Sequence, residues 1–295
     1  MTSIRGIYAA SMSIFKEDFS IDLEQTKKHA ENLIDKGCHG VVILGSTGQA
    51  QLISVKEKME LIEHLSNSSQ KNNFIIGTGN NSLTETINIM KHSKENGFNL
   101  FLLMPPAYYQ YGDEGAYIYY SKIIDKVPDC KIILYNFEKL CGYAFSIDVV
   151  EQLAKDFPNQ IVGVKDSTYN LYEKLKINNF SIFPGSESKL LKGLELGCNG
   201  IISAVCNVTA PIAREVYDDF INKKPQTVNE KLCAVRKAFD DTGNLVSALH
   251  SFVAIGDEKY KKLLPPLTLL SKDKQKELLN KLKELDFIPT KNIAA

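Results

Sequence analysis

One apolar stretch, residues 161–165, ends on a lysine whose position could give it chemistry. Its β-forming residues and glycine predict a buried strand, and the polar residues 166–168 predict a loop after it. The Lys165 ammonium is then either solvated at the rim of a sheet or held in a dry pocket. In a dry pocket, desolvation lowers the pKa of a lysine from about 10.4 toward neutrality, and the free amine can attack a carbonyl carbon. Taken alone, the stretch leaves both interpretations open.

Polar residues also follow two other predicted strands. Ser46 and Thr47 come after the second strand, next to Gly48, in a turn whose N–H groups and hydroxyls could converge on a carboxylate. Tyr135 ends the fifth strand, where a buried tyrosine is as often core as catalytic. At one shared rim, a lysine can condense with a ketone, a phenol can move protons, and hydroxyls can hold a neighbouring carboxylate. A 2-keto acid carries this pair of functional groups.

Two further loops carry polar candidates. Tyr108, Tyr109 and a third tyrosine follow the fourth strand, where tyrosines usually serve packing or an interface. Gly185 and Glu187 follow the seventh strand and could bind hydroxyl groups, or else belong to the start of the next helix. Neither loop assigns a function by itself.

The elements that must position these residues alternate between strand and helix patterns. Eight short, continuously apolar strands are predicted, as expected when both faces of a sheet are covered. They lie at residues 4–9, 40–44, 74–78, 99–104, 131–135, 161–165, 181–183 and 200–202, and helices follow each, including 171–176 and 211–221. Right-handed parallel crossovers in this number close into a (β/α)8 TIM barrel. An open doubly wound sheet is the competitor, but no GxGxxG turn follows the first strand.

The last part of the chain holds helical patterns only. These lie at about residues 228–239, 244–252 and 273–285. We therefore expect a barrel over residues 1–223 and a C-terminal helical appendage over residues 224–295 that packs on it. No Gly/Ser/Pro-rich linker separates the two.

Composition excludes several classes of function. Lys plus Arg and Asp plus Glu are balanced at 35 each, which gives no reason to propose nucleic acid or an anionic membrane as a partner. Six scattered cysteines indicate reduced thiols in a cytoplasmic protein, and no metal-ligand spacing is visible. No signal peptide or membrane-spanning run is apparent. The only arginines are Arg5, Arg214 and Arg236, so guanidinium clamps are confined to those positions.

Four stretches together carry a family resemblance. They are "HAENLIDKGCHGVVILGSTGQ", "LYNFEKLCG", "GVKDST" and "GSES", in order over essentially the full chain. The sequence resembles the Schiff-base-forming, pyruvate-dependent aldolases and lyases of the barrel fold, which include N-acetylneuraminate lyase, dihydrodipicolinate synthase and 2-keto-3-deoxygluconate aldolase. The resemblance raises the catalytic interpretation of Lys165 above the solvated one.

The resemblance also implies a role for each matching residue. Lys165 corresponds to the Schiff-base lysine, Tyr135 to the tyrosine that acts as general acid and base, and Ser46 with Thr47 to the pair that binds the pyruvate carboxylate. Ser46 is also a candidate proton relay. A tyrosine of the family that reaches the neighbouring subunit's site corresponds to Tyr108 or, one residue on, to Tyr109. We expect substrate contacts from Ser46, Thr47, Gly48, Tyr109, Leu140, Ser167, Gly185, Glu187 and Ser203.

Departures from the family pattern bear on the substrate. Dihydrodipicolinate synthases typically have an arginine where this chain has Leu140, and that arginine holds the carboxylate of the incoming aldehyde; Lys139 is the alternative donor here. N-acetylneuraminate lyases share the leucine but have two consecutive acids where this chain has Glu187 and Ser188. Gln49 stands where the family usually has glutamate, and the sequence offers no interpretation of it.

We therefore predict a class I aldolase that cleaves a 2-keto-3-deoxy sugar acid, such as 2-keto-3-deoxygluconate, into pyruvate and an aldehyde. "GVKD" followed by Ser or Thr, as at Ser167, is common in sugar-acid aldolases. The alternatives are N-acetylneuraminate lyase, dihydrodipicolinate synthase, and a keto-acid-binding barrel without turnover. The resemblance implies no metal or organic cofactor, and it implies a homotetramer built from dimers.

Overall fold

Eight parallel strands form a nearly closed barrel in residues 4–288, the part of the chain that the structure, a computed structural model, describes. Residues 1–3 of the predicted barrel and 289–295 of the predicted appendage lie outside the described residues. The strands are β1 Gly6–Ala10, β2 Gly40–Ile43, β3 Phe74–Gly77, β4 Leu100–Leu103, β5 Lys131–Asn136, β6 Ile161–Asp166, β7 Ser181–Pro184 and β8 Gly200–Ser203. Neighbours along the chain pair from β1 to β7, and β8 pairs with β1. The predicted TIM barrel is confirmed.

Asn199 lies at the seam between β7 and β8, the two neighbouring strands that form no ladder in the described part of the sheet. The Asn199 backbone N–H donates to the Ile182 carbonyl of β7 at 2.9 Å, and its side-chain Oδ1 accepts from the Ile182 N–H at 3.0 Å. Its carbonyl accepts from Gly6 N–H at 2.9 Å, at the start of β1. Because Asn199 directly precedes Gly200, the first residue of β8, these bonds tie the start of β8 to β7 as well as to β1 and nearly complete the ring.

Helices cover the outside of the barrel, since each strand buries apolar side chains on both faces. They are α1 Leu23–Asp35, α2 Val55–Leu65, α3 Leu83–Glu95, α4 Asp113–Lys126, α5 Glu138–Cys141, α6 Ile147–Asp156, α7 Leu190–Glu195 and α8 Cys206–Ile221. The helix predicted at residues 171–176 is wrong, because a side chain of β6 binds the backbone N–H groups of this segment and folds it into turns. The start predicted for α8 is also wrong. Pro211 lies inside the helix, which begins five residues earlier at Cys206.

Three helices follow the barrel, α9 Asn229–Asp240, α10 Leu245–Val253 and α11 Lys272–Glu284. Their apolar side chains form a second buried cluster with residues that come directly after β1 and β8. Phe239, Phe252 and Leu282 pack there with Met12 and Val205. Because Met12 and Val205 follow the carboxyl ends of their strands, the C-terminal helices cover part of the rim where barrel enzymes place their sites.

Candidate active site

Lys165 and Tyr135 stand side by side near the carboxyl ends of β6 and β5. Their Cα atoms are partners in the parallel ladder, and Lys165 Nζ lies 4.1 Å from the centroid of the Tyr135 ring. A bulge in β6 creates this pairing. Without it, the register of Ile132 with Ile161 would continue and place Val164 opposite Tyr135.

The lysine is withdrawn from water. Lys165 is 5% exposed and Tyr135 is 4% exposed, so the solvated alternative left open by the sequence does not apply. Within residues 4–288, no carboxylate forms an ion pair with the Lys165 amine. The phenyl face of Tyr135 is the group that the structure places against it. An amine so placed can approach a carbonyl carbon without a competing salt bridge.

The turn after β2 brings a hydroxyl to the same tyrosine. Ser46 Oγ lies 3.5 Å from Tyr135 Oη, and Thr47 beside it is buried. Gly48 fits because a Cβ atom there would lie 2.9 Å from the Ser13 Oγ and from a main-chain oxygen. Lys165, Tyr135 and Ser46 therefore converge as predicted, and Thr47 and Gly48 stand next to them in the chain.

A small cleft opens at this point. Its walls include Ser46 of the β2 turn, Gly77 at the end of β3, Gly79 after β3, Met104 after β4, and Tyr135 of β5. Both glycines are closely packed, since an added Cβ would lie 2.2 Å from the Leu44 carbonyl oxygen at Gly77 and 3.1 Å from the Met104 carbonyl oxygen at Gly79. The ring that lies against Lys165 thus also borders this cleft.

A buried carboxylate fixes the ends of the two central strands. Asp166, directly after the lysine, accepts from Asn136 Nδ2 at 2.8 Å, and Asn136 directly follows the tyrosine. The same carboxylate accepts from the backbone N–H groups of Tyr169, Leu171 and Tyr172 at 2.8–2.9 Å. Asn136 is not among the predicted site residues, although a polar residue that ends an apolar strand is a visible signal in the sequence. The carboxylate and the amide hold the lysine and the tyrosine in fixed relation.

The tyrosines of the loop after β4 face outward. Tyr108 is 89% exposed, has a φ of +86° and packs edge to face on Tyr109, whose exposed fraction is 78%. In the described residues of this single chain, no hydrogen bond or ring contact links either phenol to Lys165 or Tyr135. Both rings are available to another molecule, and their predicted roles stay predictions.

The segment after β5 and the loop after β6 supply the other predicted substrate contacts. Leu140 on α5 is 45% exposed and carries no donor or charge. Ser167 packs on Gly185, where an added Cβ would lie 2.1 Å from the Ser167 Oγ. These residues belong to the same barrel end as Lys165, since they follow β5, β6 and β7.

Glu187 is wholly buried and bonds to the protein. Its Oε2 accepts from Ser203 Oγ and from Arg236 Nη1, both at 2.7 Å, and Arg236 also donates to Asp240. Burial alone would lower the pKa of Arg236, but the charges of Glu187 and Asp240 raise it overall. Two predicted substrate-binding residues are thus tied to α9 of the C-terminal helices. Arg236 is one of three possible guanidinium positions in the sequence, but its contact with Glu187 is not predictable, because the contact spans 49 residues of chain and no local pattern marks it.

Residues 4–288 contain neither a candidate metal cluster nor a candidate membrane-spanning helix. No cluster of three or more His, Cys, Asp or Glu side chains in that range could hold a metal ion. No helix there is long and apolar enough to cross a membrane.

The chain is similar to known proteins over nearly its whole length. The model of the dihydrodipicolinate synthetase family matches residues 3–285. The chain belongs to this family. Members are pyruvate-dependent carbon–carbon lyases that typically act through a Schiff base, so the chain is an enzyme of this class and the alternative of a binder without turnover is set aside.

Proteins similar to this chain include both a lyase without an assigned reaction and named synthases. An uncharacterized DapA-like lyase of Pyrococcus horikoshii is 30% identical over 292 residues, 96% of this chain and 99% of that protein. A 4-hydroxy-tetrahydrodipicolinate synthase of Hydrogenobaculum sp. is 31% identical over 290 residues, 94% and 98% of the two chains. A solved structure of a monomeric dihydrodipicolinate synthase variant, 24% identical, shares the fold with a TM-score of 0.85 over 97% of this chain and 98% of that one. Family membership therefore leaves the second substrate to be argued from the site.

Proposed function

We propose that this lyase is a class I aldolase that cleaves a 2-keto-3-deoxy sugar acid, such as 2-keto-3-deoxygluconate, into pyruvate and a hydroxyaldehyde. The observation that carries the proposal is the buried amine of Lys165 against Tyr135, with the hydroxyl of Ser46 beside the phenol. This arrangement matches a substrate that has a ketone next to a carboxylate.

The reaction follows from the groups in place. The Lys165 amine adds to the keto carbon, and loss of water leaves a protonated imine that withdraws electrons. Tyr135 takes the proton of the hydroxyl two carbons away, the carbon–carbon bond breaks, and an aldehyde leaves while the imine becomes an enamine. Protonation of the enamine and hydrolysis of the imine release pyruvate and restore the lysine. Ser46, 3.5 Å from the phenol, can pass protons to and from it.

The choice of aldehyde rests on the absence of a free guanidinium at the described rim. Arg236 is held by Glu187, Ser203 and Asp240, and Arg214 on α8 pairs with Asp218 and the Gly37 carbonyl. Leu140, one of three consecutive exposed residues on α5, cannot bind the carboxylate of an aldehyde such as aspartate semialdehyde. An uncharged hydroxyaldehyde places no anion at this position.

The synthase reaction is the second candidate, and one observation favours it. Lys139 lies next to Leu140 on α5, is exposed, and can supply a cation in place of an arginine. N-acetylneuraminate lyase activity has less support, because Glu187 is paired with Arg236 and Ser188 replaces the second acid that holds the polyol tail in those lyases.

A substrate panel tests the proposal. Pyruvate release is measured from 2-keto-3-deoxygluconate and from N-acetylneuraminate, and pyruvate consumption is measured with aspartate semialdehyde. We expect the highest kcat/KM with 2-keto-3-deoxygluconate, and a Lys165→Ala variant should be inactive on all three. A higher kcat/KM for the condensation with aspartate semialdehyde would contradict the proposal and establish the synthase reaction.

We also propose that the protein is a homotetramer in the cytoplasm. The exposed Tyr108 and Tyr109 support contact with a second copy, since two large aromatic side chains rarely stand free in water. The six cysteines are all free thiols, as expected in a reducing compartment. Light scattering at micromolar concentration should give a tetramer, and a fully active monomer would refute the assembly.

A further inference from the structure

Gln49 directly follows the turn that carries Ser46, Thr47 and Gly48, and its backbone is unusual. It has a φ of +58°, in the left-handed region that side chains other than glycine rarely adopt. Its N–H donates to the Ser46 carbonyl at 3.1 Å and closes the turn. Gln49 is 3% exposed, so its side chain must find hydrogen-bond partners inside the protein.

Both ends of the Gln49 amide have partners in the C-terminal helical segment. Oε1 accepts from the Leu264 backbone N–H at 2.8 Å, and Nε2 lies 3.3 Å from His250 Nε2. The other ring nitrogen of His250, Nδ1, lies 2.8 Å from the Tyr260 carbonyl, which can only accept. The proton therefore sits on Nδ1, and Nε2 accepts from the Gln49 NH2 group.

Hydrogen bonds extend from this contact to the end of β1. Tyr260 Oη lies 2.8 Å from His29 Nδ1, and His29 Nε2 lies 2.8 Å from Asn207 Oδ1. Asn207 Oδ1 also accepts from Met12 N–H at 3.0 Å, so His29 must donate through Nε2 and accept from the tyrosine through Nδ1. Each group in this series of hydrogen bonds therefore has one consistent proton assignment.

The partners select an amide at position 49. A glutamate would present an acceptor to Leu264 N–H, as Gln49 does, but its second oxygen would face the lone pair of His250 Nε2. An apolar residue would leave the Leu264 N–H without an acceptor. Burial also holds the pKa of His250 at about 4, so its ring is neutral at physiological pH and Nε2 remains an acceptor.

We infer that Gln49 is a positioning residue for the substrate carboxylate, through which the C-terminal segment holds the Ser46–Gly48 turn in its binding geometry. Gln49 does not touch substrate; it fixes the backbone that does. The inference rests on the proposed function only in that the turn binds the carboxylate of a 2-keto acid. It assigns the C-terminal helices a part in substrate binding.

Pyruvate titration with borohydride trapping tests this role. The variants are Gln49→Glu, which keeps the shape but loses the donor, and Gln49→Met, which keeps the volume without adding a charge. Gln275→Glu is the matched control, because Gln275 on α11 donates to the Ser251 carbonyl at 2.9 Å and lies away from the turn. Circular dichroism first confirms that each variant is folded. The fraction of protein that carries the trapped adduct is then measured by mass spectrometry at increasing pyruvate concentrations.

We expect the pyruvate concentration for half-maximal trapping to rise about tenfold in both Gln49 variants, whereas the trapping rate at saturation changes less than about twofold. Gln275→Glu should match the wild type. Half-saturation within about twofold of wild type in either folded Gln49 variant, or an equal loss in Gln275→Glu, overturns the inference. A wild-type protein that forms no adduct at all would instead refute the proposed function, and the inference with it.

Discussion

At the scale of single residues, the site depends on which side chains contact one another across strands. The neighbours Lys165 and Tyr135 could be anticipated, because both end apolar strands and parallel strands bring their carboxyl ends to one rim. The bulge that pairs them could not, since a single extra residue in a strand leaves no pattern in the apolar run. The ion pair of Glu187 with Arg236 could not be predicted from the sequence either, because it joins segments that are 49 residues apart.

Leu140→Arg tests the residue that we hold responsible for the choice of aldehyde. A guanidinium on α5 would supply the charge-assisted hydrogen bonds that a carboxylate-bearing aldehyde requires. We expect the ratio of kcat/KM for condensation with aspartate semialdehyde to that for sugar-acid cleavage to rise about tenfold to a hundredfold. Leu140→Met is the control and should leave the ratio unchanged. An unaltered ratio in Leu140→Arg would show that this position does not select the aldehyde.

At the scale of elements, the loop after β6 shows where local patterns fail. Residues 171–176 have a helical pattern, yet they form turns, because the Asp166 carboxylate takes the N–H groups of Leu171 and Tyr172. The eight strands were predictable because each is a short apolar run between turn signals. A side chain that captures a neighbouring backbone acts through tertiary geometry, which periodicity does not encode.

Asp166→Ala should therefore destabilise the protein strongly. The substitution removes the acceptor of the Asn136 amide and of three backbone N–H groups in the loop after β6, two of them at buried residues. We expect the free energy of unfolding in urea to fall by about 3–5 kcal/mol. Asp156→Ala, which removes an exposed acceptor of the Tyr117 hydroxyl, should cost less than about 1 kcal/mol. Equal losses in the two variants would show that the Asp166 contacts contribute no more to the free energy of unfolding than one exposed hydrogen bond.

At the scale of the whole molecule, the C-terminal helices are joined to the barrel by polar contacts as well as by a shared apolar cluster. Arg236 reaches from α9 to Glu187 and Ser203, and Gln49 reaches from the β2 turn to His250. The sequence indicates three further helices but not where they pack. Their position over the rim is set by Met12 and Val205, which lie outside the C-terminal segment itself.

Arg236→Met tests this connection between the two parts of the chain. It leaves the Glu187 carboxylate buried without its counter-charge, and we expect the free energy of unfolding to fall by about 3–5 kcal/mol. The double variant Arg236→Met with Glu187→Met should recover most of the loss, since the charge left without its partner, Asp240, is 45% exposed and none is buried. Arg214→Met, which breaks a half-exposed pair with Asp218, should cost less than about 1 kcal/mol. No recovery in the double variant would contradict this account.

The buried histidines predict how stability depends on pH. Burial lowers the pKa of His29 and of His250 to about 4, whereas a histidine in the unfolded chain titrates at about 6.5. Below about pH 6.5 the unfolded chain binds protons that the folded chain does not, so each histidine lowers the free energy of unfolding by about 1.4 kcal/mol per pH unit, down to about pH 4. Stability is thus retained above pH 6.5 and lost on acidification.

Urea unfolding at pH 7, 6 and 5 measures this dependence. His29→Gln should reduce the slope between pH 6 and 5 compared with the wild type, whereas His64→Gln should not, because His64 is a partly exposed residue beside Glu24. An identical slope in wild type and His29→Gln would show that the buried ring does not control the acid response.

Covalent capture of pyruvate tests the central claim most directly. The enzyme is incubated with pyruvate, reduced with borohydride, weighed intact, and mapped by peptide mass spectrometry. We predict a gain equal to pyruvic acid less one oxygen atom, located on Lys165 and absent from Lys165→Arg. A wild-type enzyme that turns over its substrate but gains no such mass, or gains it on another lysine that Lys165→Arg retains, would contradict the account.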